Sequence, residues 1–169
     1  MLKRFKTIIA AVAIITCVAA TARAQQDFSF STPSGQTVNL ASMRGNVVVL
    51  LFSGVQDPQR REELKALESL AERYQGKEVK FCWVSVNSAT EGTNDQLKSL
   101  AGAAASISVL RDANQVAFKR FSGKQAQLPT FVVLDRQGNP FGQPRGGFNP
   151  NSDFINDLAS IVDILLQRK

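Results

Sequence analysis

Asp57 and Arg60 stand three residues apart in Phe52-Ser53-Gly54-Val55-Gln56-Asp57-Pro58-Gln59-Arg60, a carboxylate and a guanidinium one helical turn from each other. That spacing suits an ion pair, which at an exposed position is worth under about 1 kcal/mol. It equally suits a two-pronged contact to a ligand or partner. Glu62 and Glu63 follow at once. Adjacent helical residues do not face each other, so they do not make a two-carboxylate hydrolase site. In a first helical turn they complement the positive end of the dipole, whereas Arg60 and Arg61 oppose it. That opposition favours a surface role for the arginines. Cys82 lies mid-run in Lys80-Phe81-Cys82-Trp83-Val84, where the reading is a buried small hydrophobe. The other reading, an exposed thiol forming mixed disulfides, lacks neighbours that would lower its pKa. Arg145-Gly146-Gly147 could hold an anion in backbone amides or simply end a strand.

What the chain lacks excludes several chemistries. It has 169 residues, no His and 2 Cys, so neither a Ser-His-Asp nor a Cys-His nucleophile pair can be built. A four-ligand Cys/His zinc site is excluded too, and neither a metal nor a cofactor is expected. The formal charge is +6, but Lys3, Arg4, Lys6 and Arg23 sit in the first 24 residues beside no acid. The remainder holds 16 basic and 14 acidic residues, so no basic stripe marks a nucleic-acid footprint. With 44% hydrophobic and 20% charged residues, the composition is that of a globular domain.

The N-terminus reads as an export signal. Met1 to Lys6 is cationic, Ile8 to Ala20 is apolar apart from Thr16, and Ala22-Arg23-Ala24 is a small-x-small cleavage motif. The apolar run is shorter than the ~20 residues of a spanning helix, the length an uncleaved anchor would need. Ile14-Ile15-Thr16 before Cys17 fits a lipoprotein signal poorly. Residues 1–24 are therefore expected to be a signal peptide cleaved after Ala24, and residues 25–169 the mature domain. It would be periplasmic or secreted, without stable membrane insertion. One cysteine, Cys82, remains in it, so it must be held by its core rather than by an internal disulfide.

The elements that must position these residues follow from periodicity. Phe28-Ser29-Phe30 and Thr37-Val38-Asn39-Leu40 flank Pro33-Ser34-Gly35, predicting a small β-hairpin. Val47 to Phe52 is an unbroken apolar run, as in a strand covered on both faces. Leu64, Leu67, Leu70, Ala71 and Tyr74 form one helical stripe, closed by Gly76. Further strands are predicted at Val79 to Val86, Ser108 to Leu110 and Thr130 to Asp135, with helices at Asp95 to Ala105 and Ala113 to Phe121. A turn at Gln137-Gly138-Asn139-Pro140 leads to a partner strand near Phe141. A last helix runs from Asn151 to Gln167, with Phe154, Leu158, Ile161, Ile164 and Leu165 inward. Asp57-Pro58 reads as N-cap and first helical position. Strand-helix-strand order with a late hairpin implies a three-layer α/β domain, a mixed central sheet with flanking helices and an N-terminal β-hairpin.

Three stretches carry a resemblance. Phe28-Ser-Phe…Gly35-Gln-Thr-Val-Asn-Leu40…Arg44-Gly45-Asn46-Val47-Val48-Val49-Leu50, then Leu64-Lys-Ala-Leu67-Glu-Ser-Leu70, then Leu128-Pro129-Thr130-Phe131-Val132-Val133-Leu134-Asp135-Arg136-Gln137-Gly138 occur in order. Together they make nearly all of the mature chain resemble the TlpA/ResA-type thioredoxin-like proteins, a branch of the redoxin superfamily. The resemblance implies a thioredoxin-like fold. That family carries Trp-Cys-x-x-Cys between the first strand and its helix. By alignment on the flanks, Gln56 stands in the Trp place, Asp57 in that of the first Cys and Arg60 in that of the second. Thiol–disulfide exchange needs a thiolate attacking sulfur, which neither Asp nor Arg supplies. A peroxiredoxin reading meets the same obstacle, since no cysteine lies between Val47 and Phe81. Pro129 matches the family's cis-proline, and the backbone of Leu128 would pair with an extended segment by β-augmentation.

The expectation is thus an exported thioredoxin-like protein with a degenerate site. It would be a non-catalytic module holding a protein or extended peptide segment at Gln56, Asp57, Arg60, Leu128 and Pro129. One alternative is a thiol-disulfide or peroxide oxidoreductase acting through Cys82 or an unrecognised mechanism. Another is a structural subunit of an envelope complex. The sequence leaves the partner and the oligomeric state open.

Overall fold

The computed structural model describes residues 27–123, 127–148 and 153–168. The expected signal peptide, residues 1–24, lies outside the described residues. In chain order the elements are β1 (Ser29–Ser31), β2 (Thr37–Asn39), a 3-10 turn (Leu40–Met43), β3 (Val47–Ser53), α1 (Arg60–Arg73), β4 (Val79–Ser85) and α2 (Asn94–Ala103). There follow β5 (Ser108–Arg111), α3 (Val116–Ser122), β6 (Thr130–Leu134), β7 (Arg145–Gly146) and α4 (Phe154–Gln167).

The seven strands form one mixed sheet in the order β2-β1-β5-β4-β3-β6-β7. The three parallel strands β3, β4 and β5 sit at its centre, and β6 and the hairpin join antiparallel. All seven residues of β3 are buried, which is why its sequence shows no polar alternation. Odd-numbered side chains of β3 (Val47, Val49, Leu51) face α1, α2 and α4, packing with Leu67, Leu97, Leu158 and Val162. Even-numbered ones (Val48, Leu50, Phe52) face α3 and the hairpin, packing with Phe118, Phe28 and Phe30. Three layers result, as the sequence implied, with the N-terminal hairpin added to the sheet edge beside β5.

The helical stripe Leu64, Leu67, Leu70, Ala71 and Tyr74 is buried as expected. Three local readings need correction. The first helix does not start at Asp57-Pro58: those residues form a turn, and α1 begins at Arg60. The third helix begins at Val116 rather than Ala113, because Gln115 adopts φ 55° and breaks helical geometry before it. Ile164 on α4 points outward at 46% exposure, since Leu158, Ala159, Val162 and Leu165 fill the inner face.

Candidate functional site

The β3–β6 register sets the geometry of the candidate site. Phe52 pairs with Thr130, so the antiparallel ladder continued by one residue places Pro129 across from Ser53. The segment leaving β3 toward α1 and the segment entering β6 therefore emerge at the same end of the sheet. Gln56, Asp57 and Arg60 lie on the first, Leu128 and Pro129 on the second. The Leu128-Pro129 peptide is cis. Pro129 is buried and its carbonyl accepts from Gly147 N–H at 3.0 Å. Leu128 is 41% exposed, and its backbone N–H and C=O make no hydrogen bond to a described residue.

The first segment is pinned from below. Val55 is buried and its N–H donates to Asn87 Oδ1 at 2.8 Å. Gly92 packs so closely on Val55 that a Cβ there would lie 2.9 Å from a Val55 methyl. Behind this loop, the ends of the parallel strands carry a polar row. Ser53, Ser85 and Arg111 are neighbours in register and all buried. The Arg111 guanidinium donates to Gly92 O and Asn94 Oδ1. It ties β5 to the loop that supports Val55.

At the head of α1 the expected N-cap is displaced. Asp57 Oδ1 accepts from Gln59 N–H at 2.8 Å, and Asp57 O from Arg60 N–H at 3.2 Å. The aspartate closes a tight turn ahead of the helix, while the N-cap residue is Gln59, whose side chain caps nothing. Asp57 and Arg60 form no ion pair, and no ion pair among the described residues contains either. Gln56 is exposed, and Asp57 and Arg60 are half-buried.

Sequence reasoning missed Glu63. It is 0% exposed, and both carboxyl oxygens lack a hydrogen-bond partner among the described residues. Ser53 Oγ, Trp83 Nε1 and Arg60 Nε are likewise buried without a partner. Burial pushes the Glu63 carboxyl up to about 7. Ser53 and Trp83 flank it and pull the other way without reaching hydrogen-bond geometry. The Asp57 carboxylate raises it further, and the Arg60 guanidinium lowers it. The missed signal was positional. Glu63 precedes Leu67, Leu70 and Tyr74 by four, seven and eleven residues, which is the buried stripe itself.

Cys82 is fully buried on the opposite face of the sheet. Burial pushes its thiol up to about 12, against a smaller opposing effect of Ser108. Arg145 and Gly146 form β7, and Arg145 pairs with Asp157 at 3.0 Å.

With this geometry in place, comparison with known proteins gives the relationship. The profile of the AhpC/TSA family matches residues 21–139. The chain belongs to the AhpC/TSA family. No curated protein matches the sequence. Among solved structures, a thiol:disulfide interchange protein of the thioredoxin family from Chlorobium tepidum is 23% identical with a TM-score of 0.65. The match covers 83% of this chain and 93% of that one. A secreted disulfide oxidoreductase of Mycobacterium tuberculosis, homologous to E. coli DsbE, is 21% identical with a TM-score of 0.60. Here the match covers 82% and 96%. At such identities the likeness is one of fold, and that fold is thioredoxin-like. Within the family match, the stretch from Val47 to Phe81 holds no cysteine. Cys82, the first one after it, is sealed in the core.

Proposed function

We propose that this AhpC/TSA-family domain is an exported, non-catalytic binding module. It holds an extended protein segment between the head of α1 and the Leu128-Pro129 turn. Aligned on its flanks with the TlpA/ResA-type proteins it resembles, the chain has Asp57 and Arg60 in the places of their two redox cysteines and Gln56 in that of the Trp. The observation that carries this reading is the pairing of two facts. Leu128 is exposed and its backbone makes no hydrogen bond to a described residue, at the end of the sheet from which β3 leads to α1, and no cysteine lies between Val47 and Phe81 to supply a thiolate there. An exposed strand-like N–H and C=O are what β-augmentation uses. An oxidoreductase acting through Cys82 would need a thiolate at neutral pH. A buried thiol near 12 does not supply one.

The test is affinity capture from envelope extract with wild type, Pro129→Ala and Asp57→Ala as baits, read by mass spectrometry. A partner held by wild type and lost from both folded variants is expected. A partner held equally by all three would move function to another face, as in the reading of a structural subunit of an envelope complex. Disulfide reduction and peroxide consumption are run alongside. No turnover is expected, and turnover abolished by Cys82→Ser would sink the binding-only view.

A further inference from the structure

We propose that Arg60 and Glu63 form a pH-gated latch at the head of α1: neutral Glu63 leaves the Arg60 guanidinium unpaired, and ionised Glu63 draws it into a buried ion pair. The two residues stand three apart on α1 and so share one face. Arg60, Ser53 and Trp83 all act on Glu63 from close by. Both Glu63 carboxyl oxygens, Arg60 Nε, Trp83 Nε1 and Ser53 Oγ are buried without a hydrogen-bond partner among the described residues. The cluster is therefore three unused donors around one unused acid. An ionised carboxylate accepts at both oxygens and meets a guanidinium in a two-bond fork. A neutral carboxyl must find an acceptor for its own proton, and among these atoms only Ser53 Oγ is one. The donor set thus suits the ionised form, whereas burial favours the neutral one. Asp57 leaves Arg60 free: its carboxylate is turned back onto Gln59 N–H, and no ion pair among the described residues contains Arg60.

The two tendencies balance near neutrality. Burial pushes the Glu63 carboxyl up to about 7; of the charged groups that face it, Asp57, from the loop before α1, raises it and Arg60, from α1 itself, lowers it. β3 and β4 present Ser53 and Trp83, which carry no charge. α2 keeps Asp95 and Lys98 paired with each other in solvent. α4 sets its Asp163 against Arg73, at the other end of α1. Below the transition the head of α1 holds a neutral acid and an unpaired cation. As pH rises, the Glu63 proton leaves to solvent and the carboxylate gains Arg60, which offsets part of the cost of burying both charges. The surface then shows Asp57 without a free cation beside it. Asp57 and Arg60 both belong to the proposed binding surface, so the latch sets that surface's charge. Its own test needs no partner, and either reading can fail without the other.

Side-chain NMR of the purified protein from about pH 5 to about pH 9 tests this. The glutamate carboxyl carbons are followed, with Glu63→Gln identifying the Glu63 signal. The Arg60 Nε and Nη resonances and the Trp83 indole N–H are followed beside them. Trp83 is the chain's one Trp, so its signal needs no assignment. Expected is one midpoint near 7, shared by Glu63, Arg60 and Trp83. Above it the Arg60 Nη resonances should separate, the mark of a guanidinium held in a fork. In Glu63→Gln the Arg60 and Trp83 signals should stay flat. Arg60→Gln should raise the Glu63 midpoint by about one pH unit. Arg60→Lys should hold it near the wild-type value, because the charge remains. An Arg60 signal that is flat through the Glu63 transition, or that moves alike in Glu63→Gln, would overturn the latch. So would a Glu63 midpoint unchanged in Arg60→Gln, or a fork already formed at about pH 5.

Discussion

The heads of α1 and α2 are capped differently. At α2, Thr93 and Gln96 form a complete capping box: Thr93 Oγ1 accepts from Gln96 N–H at 3.2 Å, and Gln96 Oε1 accepts from Thr93 N–H at 2.8 Å. At α3, Asp112 accepts from the N–H groups of Val116 and Phe118. At α1, the N-cap Gln59 makes no side-chain cap. Two arginines oppose the dipole, and a fully buried carboxyl in the first turn has no hydrogen-bond partner among the described residues. The start of α4 likewise lacks a side-chain cap from its N-cap residue, Asp153, so α1 differs from α2 and α3 but not from every helix.

The largest expected break in this contrast comes from Glu63. Its folded-state value of about 7 lies above the ordinary 4.5. The folded protein therefore holds the proton more tightly than the unfolded chain does. Stability from this group is fully present below about pH 4.5 and is lost as pH rises through about 7, by about 3 kcal/mol in total. Glu63→Gln mimics the neutral form and should remove that loss. Denaturant midpoints of both proteins at about pH 5 and pH 8 measure it, and parallel pH profiles would show that Glu63 is not the titrating group.

Smaller effects sharpen the comparison. Thr93→Ala removes one half of the capping box and should cost about 1 kcal/mol. Gln59→Ala should cost less than about 0.5 kcal/mol, because no cap is lost. Equal costs in urea titrations would mean that the two heads are equivalent after all. Smallest of all, Arg61→Gln relieves a cation at the positive end of α1 and should stabilise by about 0.5 kcal/mol at low salt. That gain should shrink as salt is added. A loss of stability instead would reveal a structural role for Arg61.

Much of the fold was legible because its signals are local. Val47 to Phe52 has a strand's composition on any reading, and the stripe from Leu64 to Tyr74 fixes one buried helix face. Where local signals misled, a neighbour had intervened. Asp57-Pro58 has the chemistry of a helix start, but Asp57 closes a turn two residues too early. Gln115 carries no mark of its φ of 55°, and it delays α3. Glu63 was read as an acid suited to the dipole, when its spacing to Leu67 and Leu70 already put it inside. Its charge suits the helix dipole, but its place on the apolar stripe governs where it lies.

Residue composition alone closes several chemistries. A stretch from Val47 to Phe81 without cysteine, in a chain without histidine, leaves no thiol nucleophile between β3 and the middle of β4, whatever the fold. The sequence also determined the three-layer architecture, since periodicity and element order are properties of neighbouring residues. Which segments share an end of the sheet depends on long-range pairing. Residues 56–60 and 127–129 emerge at the same end of the sheet because β3 and β6 pair antiparallel, Phe52 opposite Thr130, in a register that no local pattern encodes. The same packing of α1 on β3 and β4 took Glu63 out of water. Burial and pairing are set by what lies across the sheet, which is distant in sequence and near only in the folded chain.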